Sequence, residues 1–126
     1  MLSNGLLLKQ IKQVLLQLGM SPTLMGFEYL AECIYLCVED MNRIHDLILS
    51  VYCPVAEYNH TTYPRVERNI RHLIKVFSDR NRIPELNALL HVRLYKIGDY
   101  PTNGELIAYL AEYIRLHYDF DTDTLT

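Results

Sequence analysis

The chain has 126 residues, with 12 Lys and Arg against 15 Asp and Glu, so its formal net charge is −3. This length allows one domain, and a hydrophobic fraction of 50% with 21% charged residues excludes a disordered chain. No apolar run is long enough to span a membrane and no leader segment opens the chain, so we expect a cytoplasmic protein with no membrane partner.

Apolar residues recur at helical spacing from the first residues onward. The first predicted helix has an apolar face over residues 7–18, with Asn4 as its N-cap and Gly19 as its stop. A second helix is predicted over about residues 24–41. A short third helix is predicted over residues 44–51.

Two prolines mark the starts of the next helices. Pro54 predicts a break after the third helix and a fourth, short helix over residues 55–58, because proline is tolerated in a first turn. Residues 59–62 form a polar turn, and either of its two threonines is a candidate N-cap. Pro64 then fits the first turn of a long helix over about residues 63–78.

The last third of the chain mixes loops with helices. The polar residues 79–82 predict a loop, and Pro84 predicts the start of a short fifth helix. Residues 91–98 alternate weakly between apolar and polar, which favours an extended segment. Thr102 and Glu105 have the spacing of a capping box, so a last helix begins there.

Together these elements predict an all-α domain over residues 1–118, with about six helices built around a helix-turn-helix and no winged helix. The remaining residues, 119–126, form an acidic tail that we expect to fray.

No sequence pattern predicts catalysis, a metal or a cofactor. Cys33, Cys37 and Cys53 are expected to be reduced thiols packed as small hydrophobic residues, and no histidine has a metal-ligand spacing to them. The glycine-rich phosphate loop and the Ser/His/Asp order of nucleophilic enzymes are both absent from the sequence. We therefore expect a protein that is not an enzyme and that holds no cofactor.

The charge is distributed unevenly along the sequence. As a whole-chain number, −3 argues against a nucleic-acid partner. Residues 61–82, however, hold six basic and two acidic side chains, a net charge of +4, while residues 1–60 carry −3 and residues 83–126 carry −4. The overall charge therefore hides one basic segment.

The basic segment coincides with the long predicted helix. At 100° per residue, five apolar residues fall on one side of it: Val66, Ile70, Leu73, Ile74 and Phe77. Arg68, Arg71 and Lys75 fall on the opposite side. A short helix, a four-residue turn and a half-buried basic helix form the helix-turn-helix pattern, in which the second helix enters the major groove. From the pattern alone, a merely solvated basic face is an equal alternative.

The chemistry of this face suits DNA. Arginine forks match O6 and N7 of guanine, and a carboxylate such as Glu67 can accept a hydrogen bond from N4 of cytosine. The predicted base contacts are Glu67, Arg68 and Arg71. The predicted contacts to the DNA backbone or flank are Thr61, Thr62, Arg65, His72, Lys75, Arg80 and Arg82.

Residues 61–72, which read TTYPRVERNIRH, resemble the recognition helix of a known family. The family is the C-terminal DNA-binding domain of the sporulation stage-zero A response regulator. Further collinear matches, among them Leu18-Gly19 and Pro101-Thr102-Asn103, extend the similarity over about residues 11–117. The resemblance implies binding of double-stranded DNA at a short promoter box by tandem domains that contact the RNA polymerase sigma factor. It also implies base contacts from the glutamate and two arginines named above.

The sequence departs from the family in three places. Full-length members carry an N-terminal receiver domain that is phosphorylated, whereas this sequence opens directly before its first helix, so we expect no control by phosphorelay. Tyr63-Pro64 replaces smaller residues at the start of the recognition helix. Residues 81–100 hardly match, so a sigma-factor contact located there is not carried over.

A second hypothesis is a protein-interaction module. Such a domain would bind full-length regulators or sigma factor without itself occupying promoters, and the net acidic charge favours it slightly. Five tyrosines could supply a contact surface, although packing at the edge of the core explains such residues more often: Tyr95, Tyr100, Tyr109, Tyr113 and Tyr118.

Overall fold

The computed structural model describes residues 2–118, so the predicted acidic tail lies outside the described residues. Every regular element of the described residues is a helix, which confirms the predicted all-α fold class. In chain order its elements are α1 (Gly5–Leu18), α2 (Met25–Glu39), a 3-10 helix (Met41–Asp46), a π-helical turn (Ile48–Tyr52), α3 (Cys53–Tyr58), α4 (Tyr63–Asp79), α5 (Ile83–Leu90) and α6 (Asn103–His117). Within these residues, every helix is too short or too polar to cross a bilayer.

The predicted helix ends at α1 and α6 are confirmed. Asn4 Oδ1 accepts from the Leu7 N–H at 3.0 Å, and Gly19 ends α1 with a left-handed φ of 96°. At α6, Thr102 Oγ1 accepts from the Glu105 N–H at 3.1 Å, and Glu105 Oε1 accepts from the Thr102 N–H at 3.0 Å. These three oxygens satisfy N–H groups at the helix starts that have no partner within the helix.

The predicted break at Pro54 is wrong. Tyr52 and Cys53 keep right-handed helical dihedrals, so no break precedes the proline, although Pro54 does lie in the first turn of α3 as predicted. Pro54 has no N–H to donate to the carbonyl of Ser50, four residues earlier. The Arg43 guanidinium donates to that carbonyl instead, at 2.5 Å, and the backbone widens into the π-helical turn just before Pro54.

The predicted extended segment over residues 91–98 is also wrong, because this part of the chain is an irregular loop. His91 ends α5 with a left-handed φ of 57°. The Asn87 side chain then organises the loop: its Nδ2 donates to the Tyr95 carbonyl at 2.7 Å and its Oδ1 accepts from the Leu94 N–H at 3.1 Å. The Asn87 side chain thus satisfies backbone N–H and carbonyl groups of the loop, which in an extended segment would bond to a neighbouring strand.

The core is built around α2. Every residue from Phe27 to Val38 except Glu28 is buried, and α1, α4 and α6 pack around this helix. Gly26 allows the closest approach, since a Cβ added there would lie 2.2 Å from the carbonyl oxygen of Asn69 in α4. The backbone of α4 therefore rests directly on the first turn of α2.

Candidate nucleic-acid interface

The helix-turn-helix consists of α3, a turn over residues 59–62, and α4. Within the turn, His60 has a left-handed φ of 56° and the Thr61 N–H donates to the Ala56 carbonyl at 2.9 Å. Thr62 is the N-cap residue of α4, with an extended backbone and no hydrogen bond from its side chain to the helix. Thr62 is exposed and Thr61 half-buried, so the Thr62 hydroxyl stands free at the start of α4.

A buried carboxylate holds this turn. Glu32 of α2 is 5% exposed, and its Oε1 accepts from Asn59 Nδ2 at 2.7 Å. The same nitrogen donates to the Val55 carbonyl at 2.8 Å. Burial raises the pKa of Glu32, and the hydrogen bond from Asn59 opposes that shift. Sequence reasoning missed this contact. The available signal was a lone charged residue within the apolar run over residues 29–38.

The two sides of α4 divide as predicted. The five apolar residues of its inner side are all buried, at 2% exposure or less. Arg68, Arg71 and Lys75 are all exposed, together with Arg65 and His72. The helix thus presents its basic side to solvent while its apolar side contacts the core.

Along one row of the outer side of α4, each basic side chain forms an ion pair with an acidic one. Glu67, Arg71, Lys75 and Asp79 follow one another at a spacing of four residues, so they lie in line along the helix. Arg71 Nη2 contacts Glu67 Oε1 at 2.7 Å, and Lys75 Nζ contacts Asp79 Oδ2 at 2.8 Å. Two of the predicted base contacts are therefore already paired with each other. We call these four residues the paired row.

The neighbouring row carries positive charge without a matching acid. Arg65 and Arg68 are exposed and, among residues 2–118, neither forms an ion pair. His72 lies one turn beyond Arg68 on the same row and is also exposed. These two guanidinium groups are the cations of α4 most available to an anionic partner.

Tyr100 completes a cluster at the end of the paired row. Its hydroxyl donates to Asp79 Oδ1 at 2.5 Å, and Lys75 Nζ lies 5.6 Å from the centre of its ring. The Lys75–Asp79 hydrogen bond raises the pKa of Lys75, and the same bond lowers the pKa of Asp79. Each of the two Asp79 oxygens therefore has a donor.

The two arginines beyond α4 have different surroundings. Arg80 is exposed, whereas Arg82 is half-buried and its Nε donates to the Leu18 carbonyl at 3.2 Å. Gly19 makes room for that guanidinium, because a Cβ added at Gly19 would lie 2.3 Å from Arg82 Nε. Arg82 thus satisfies a carbonyl at the C-terminal end of α1. Only its two other guanidinium nitrogens remain to donate to a partner molecule.

The start of α6 supports α4 from the side. Asn103 Nδ2 donates to the Glu67 carbonyl at 2.9 Å. A cavity of about 420 Å³ opens beside this contact, bounded by Tyr52, Arg71, Tyr100 and the first residues of α6. The Arg71 side chain therefore has space to change its direction without displacing the core.

A family model described as "Sporulation initiation factor Spo0A C terminal" matches residues 11–114. The matched span includes the whole helix-turn-helix, the exposed basic side of α4 and most of α6. The model thus covers most of the chain, and it agrees with the all-α fold and with the resemblance found in the recognition helix. The chain therefore belongs to the family of Spo0A C-terminal domains, which bind DNA and regulate transcription in sporulation.

Proposed function

We propose that residues 1–118 form a sequence-specific DNA-binding domain that reads a short promoter box with α4 in the major groove. The observation that carries this proposal is the outer side of α4, where Arg68 and Arg71 are exposed and Glu67 is half-buried, on a helix held by the core on its other side. The function is one of recognition and requires no catalysis, metal or cofactor.

We assign the base contacts to two arginines and one glutamate. Arg68 is free to present its fork to O6 and N7 of a guanine. Arg71 is steadied by Glu67 through one nitrogen, which leaves its other donors for a second guanine. Glu67 keeps Oε2 available to accept from N4 of a cytosine.

Backbone contacts would fix the position of α4 on the duplex. We assign them to Thr61, Thr62, Arg65 and His72 near the start of the helix and to Lys75 and Arg80 near its end. Arg82 contributes only through the nitrogens that its bond to Leu18 leaves free.

The test is a fluorescence-anisotropy titration of the protein with a duplex carrying the family's promoter box and with a scrambled duplex of equal length. We expect tighter binding to the box and a loss of affinity for both duplexes as salt rises. Equal affinity for the two duplexes would refute sequence-specific reading. Failure to bind either duplex at low salt would favour the protein-interaction module.

Three further parts of the proposal rest on the family resemblance. Copies of the domain would occupy tandem boxes side by side, contact the RNA polymerase sigma factor and work in the cytoplasm, where the chromosome lies. Gel shifts with one and two boxes test the first part, since cooperative filling of two boxes is expected. Retention of purified sigma factor by the protein–DNA complex tests the second.

A further inference from the structure

The Lys75–Asp79 pair is not explained by the stability of α4. Asp79 is the last residue of the helix, where a carboxylate opposes the helix macrodipole. In an i,i+4 pair, the order with the cation nearer the N-terminus is the weaker one, and this is the order of Lys75 and Asp79. Glu67 and Arg71 have the favourable order, so the two ion pairs of the paired row differ in how well they stabilise α4.

Asp79 is nevertheless held in place by a residue far away in sequence. Tyr100, in the loop before α6, donates its hydroxyl to the Asp79 oxygen that does not contact Lys75. The loop is itself fastened to α4, because Ser78 Oγ donates to the Asp99 carbonyl at 2.5 Å. The carboxylate is therefore held by Tyr100 through one oxygen, and its other oxygen accepts from the Lys75 ammonium.

The Lys75 ammonium would be a candidate for a phosphate contact if α4 enters the major groove. It is one turn beyond Arg71 on the same outer row, and its side chain is 62% exposed. If Arg71 reaches a base edge, a cation one turn further along the helix lies over the adjoining strand backbone. In the free protein a carboxylate already takes the place of that phosphate.

We propose that Asp79, held by Tyr100, competes with DNA phosphate for Lys75 and thereby lowers the affinity of the domain for all DNA. This inference rests on the proposed function. A phosphate that displaces Asp79 leaves an uncompensated carboxylate, which recruits a cation from solution. The contact at Lys75 then releases fewer counterions in total than a contact made by an unpaired lysine.

The competition makes a specific prediction about pairs of substitutions. Asp79→Asn should tighten binding to both cognate and scrambled duplexes by about two- to fivefold, the range that exposed ion pairs contribute. It should also steepen the dependence of log affinity on log salt by up to about 0.9. Lys75→Met should weaken the original protein only slightly but should remove the whole gain from the Asp79→Asn protein.

Two further variants separate competition from a general charge effect. Tyr100→Phe removes the hydrogen bond to Asp79 and leaves every charge in place, so it should shift affinity in the same direction by a smaller factor. Glu39→Gln removes one exposed negative charge about 20 Å along α2 from the contact between Gly26 and α4, and it should leave affinity unchanged. All the substituted side chains are exposed, so the fold should tolerate the changes.

Anisotropy titrations of these variants between about 50 and 200 mM salt test whether Asp79 competes with DNA phosphate for Lys75. The inference is overturned if Lys75→Met weakens the original and the Asp79→Asn proteins by the same factor. It is equally overturned if Glu39→Gln reproduces the effect of Asp79→Asn, since distance-independent repulsion then explains the gain. A protein that shows no salt-dependent DNA binding would overturn the proposed function together with this inference, whereas normal binding with additive variants overturns the inference alone.

Discussion

Gly26 is the position where a single methyl group should displace α4. In a Gly26→Ala protein the new Cβ would lie 2.2 Å from the Asn69 carbonyl oxygen, 2.8 Å from its carbon and 3.0 Å from Leu73 Cβ. An ordinary carbon–oxygen contact is about 3.3 Å or longer, so α2 and α4 must separate by about 1 Å.

Two opposing effects set the change in the free energy of unfolding that Gly26→Ala should cause. Overpacking of this kind costs about 1–3 kcal/mol, and the upper end applies because two of the three nearest atoms at Gly26 belong to the Asn69 backbone rather than to a flexible side chain. Alanine in place of glycine in a helix recovers at most about 1 kcal/mol. We expect a net loss of about 2 kcal/mol in the free energy of unfolding, or roughly 5–10 °C in the melting temperature.

Urea and thermal unfolding followed by circular dichroism measure this loss, and Gly104→Ala is the matched control. Gly104 is also the second residue of its helix, but a Cβ there would meet only the flexible Leu47 side chain, at 2.9 Å. If Gly26→Ala is as stable as Gly104→Ala, the direct contact between α2 and α4 is not as described. A Gly26→Ala protein that stays folded should also bind DNA more weakly, because α4 has moved.

The remaining predictions concern base reading and the helix-turn-helix turn. Arg68→Ala should cost about 1–3 kcal/mol of discrimination between the promoter box and a scrambled duplex, measured by anisotropy, while Arg93→Ala in the loop after α5 should not. Equal losses would remove Arg68 from base reading. Glu32→Ala should destabilise the fold by about 1–3 kcal/mol because it leaves one of the two N–H groups of the half-buried Asn59 amide without its acceptor, and Glu32→Gln should recover much of this in urea unfolding. Since the folded pKa of Glu32 is raised above 4.5, its protonation favours the folded state at low pH, and this advantage is lost as pH rises through the folded pKa. The stability of the original protein relative to Glu32→Gln should therefore fall as pH rises from below 4.5, and a constant difference would contradict the assignment. Thr102→Ala should cost about 0.5–2 kcal/mol in thermal unfolding through loss of the capping box, and an unchanged melting temperature would show that the cap contributes nothing.

Features that depend on neighbouring residues could be predicted from the sequence. Asn4 and Gly19 at the ends of α1, the capping box of α6 and the division of α4 into two sides all follow from residue types a few positions apart. The rule that proline ends a helix failed at Pro54. A side chain eleven residues earlier, Arg43, bonds the carbonyl that proline cannot bond, and no local pattern signals that contact.

The candidate site shows the same limit. The identity of the exposed residues of α4 followed from helical periodicity, and the Glu67–Arg71 pair has a spacing that could have been noticed. The contacts that position the site join residues far apart in sequence, such as Glu32 with Asn59 and Tyr100 with Asp79. Which distant residues meet is decided by packing of the whole core, so these contacts required the structure.

The attachments of α4 also bear on the entropy of recognition. The helix is fastened along its length, at Asn69 by α2, at the Glu67 carbonyl by Asn103 and at Ser78 by the loop before α6. Because its backbone is ordered before any partner arrives, association with DNA would immobilise side chains but would not have to fold a helix. The conformational cost of binding is then limited to about 0.5–1.5 kcal/mol for each long side chain that becomes fixed, a property of a preorganised reader rather than of a segment that folds on its target.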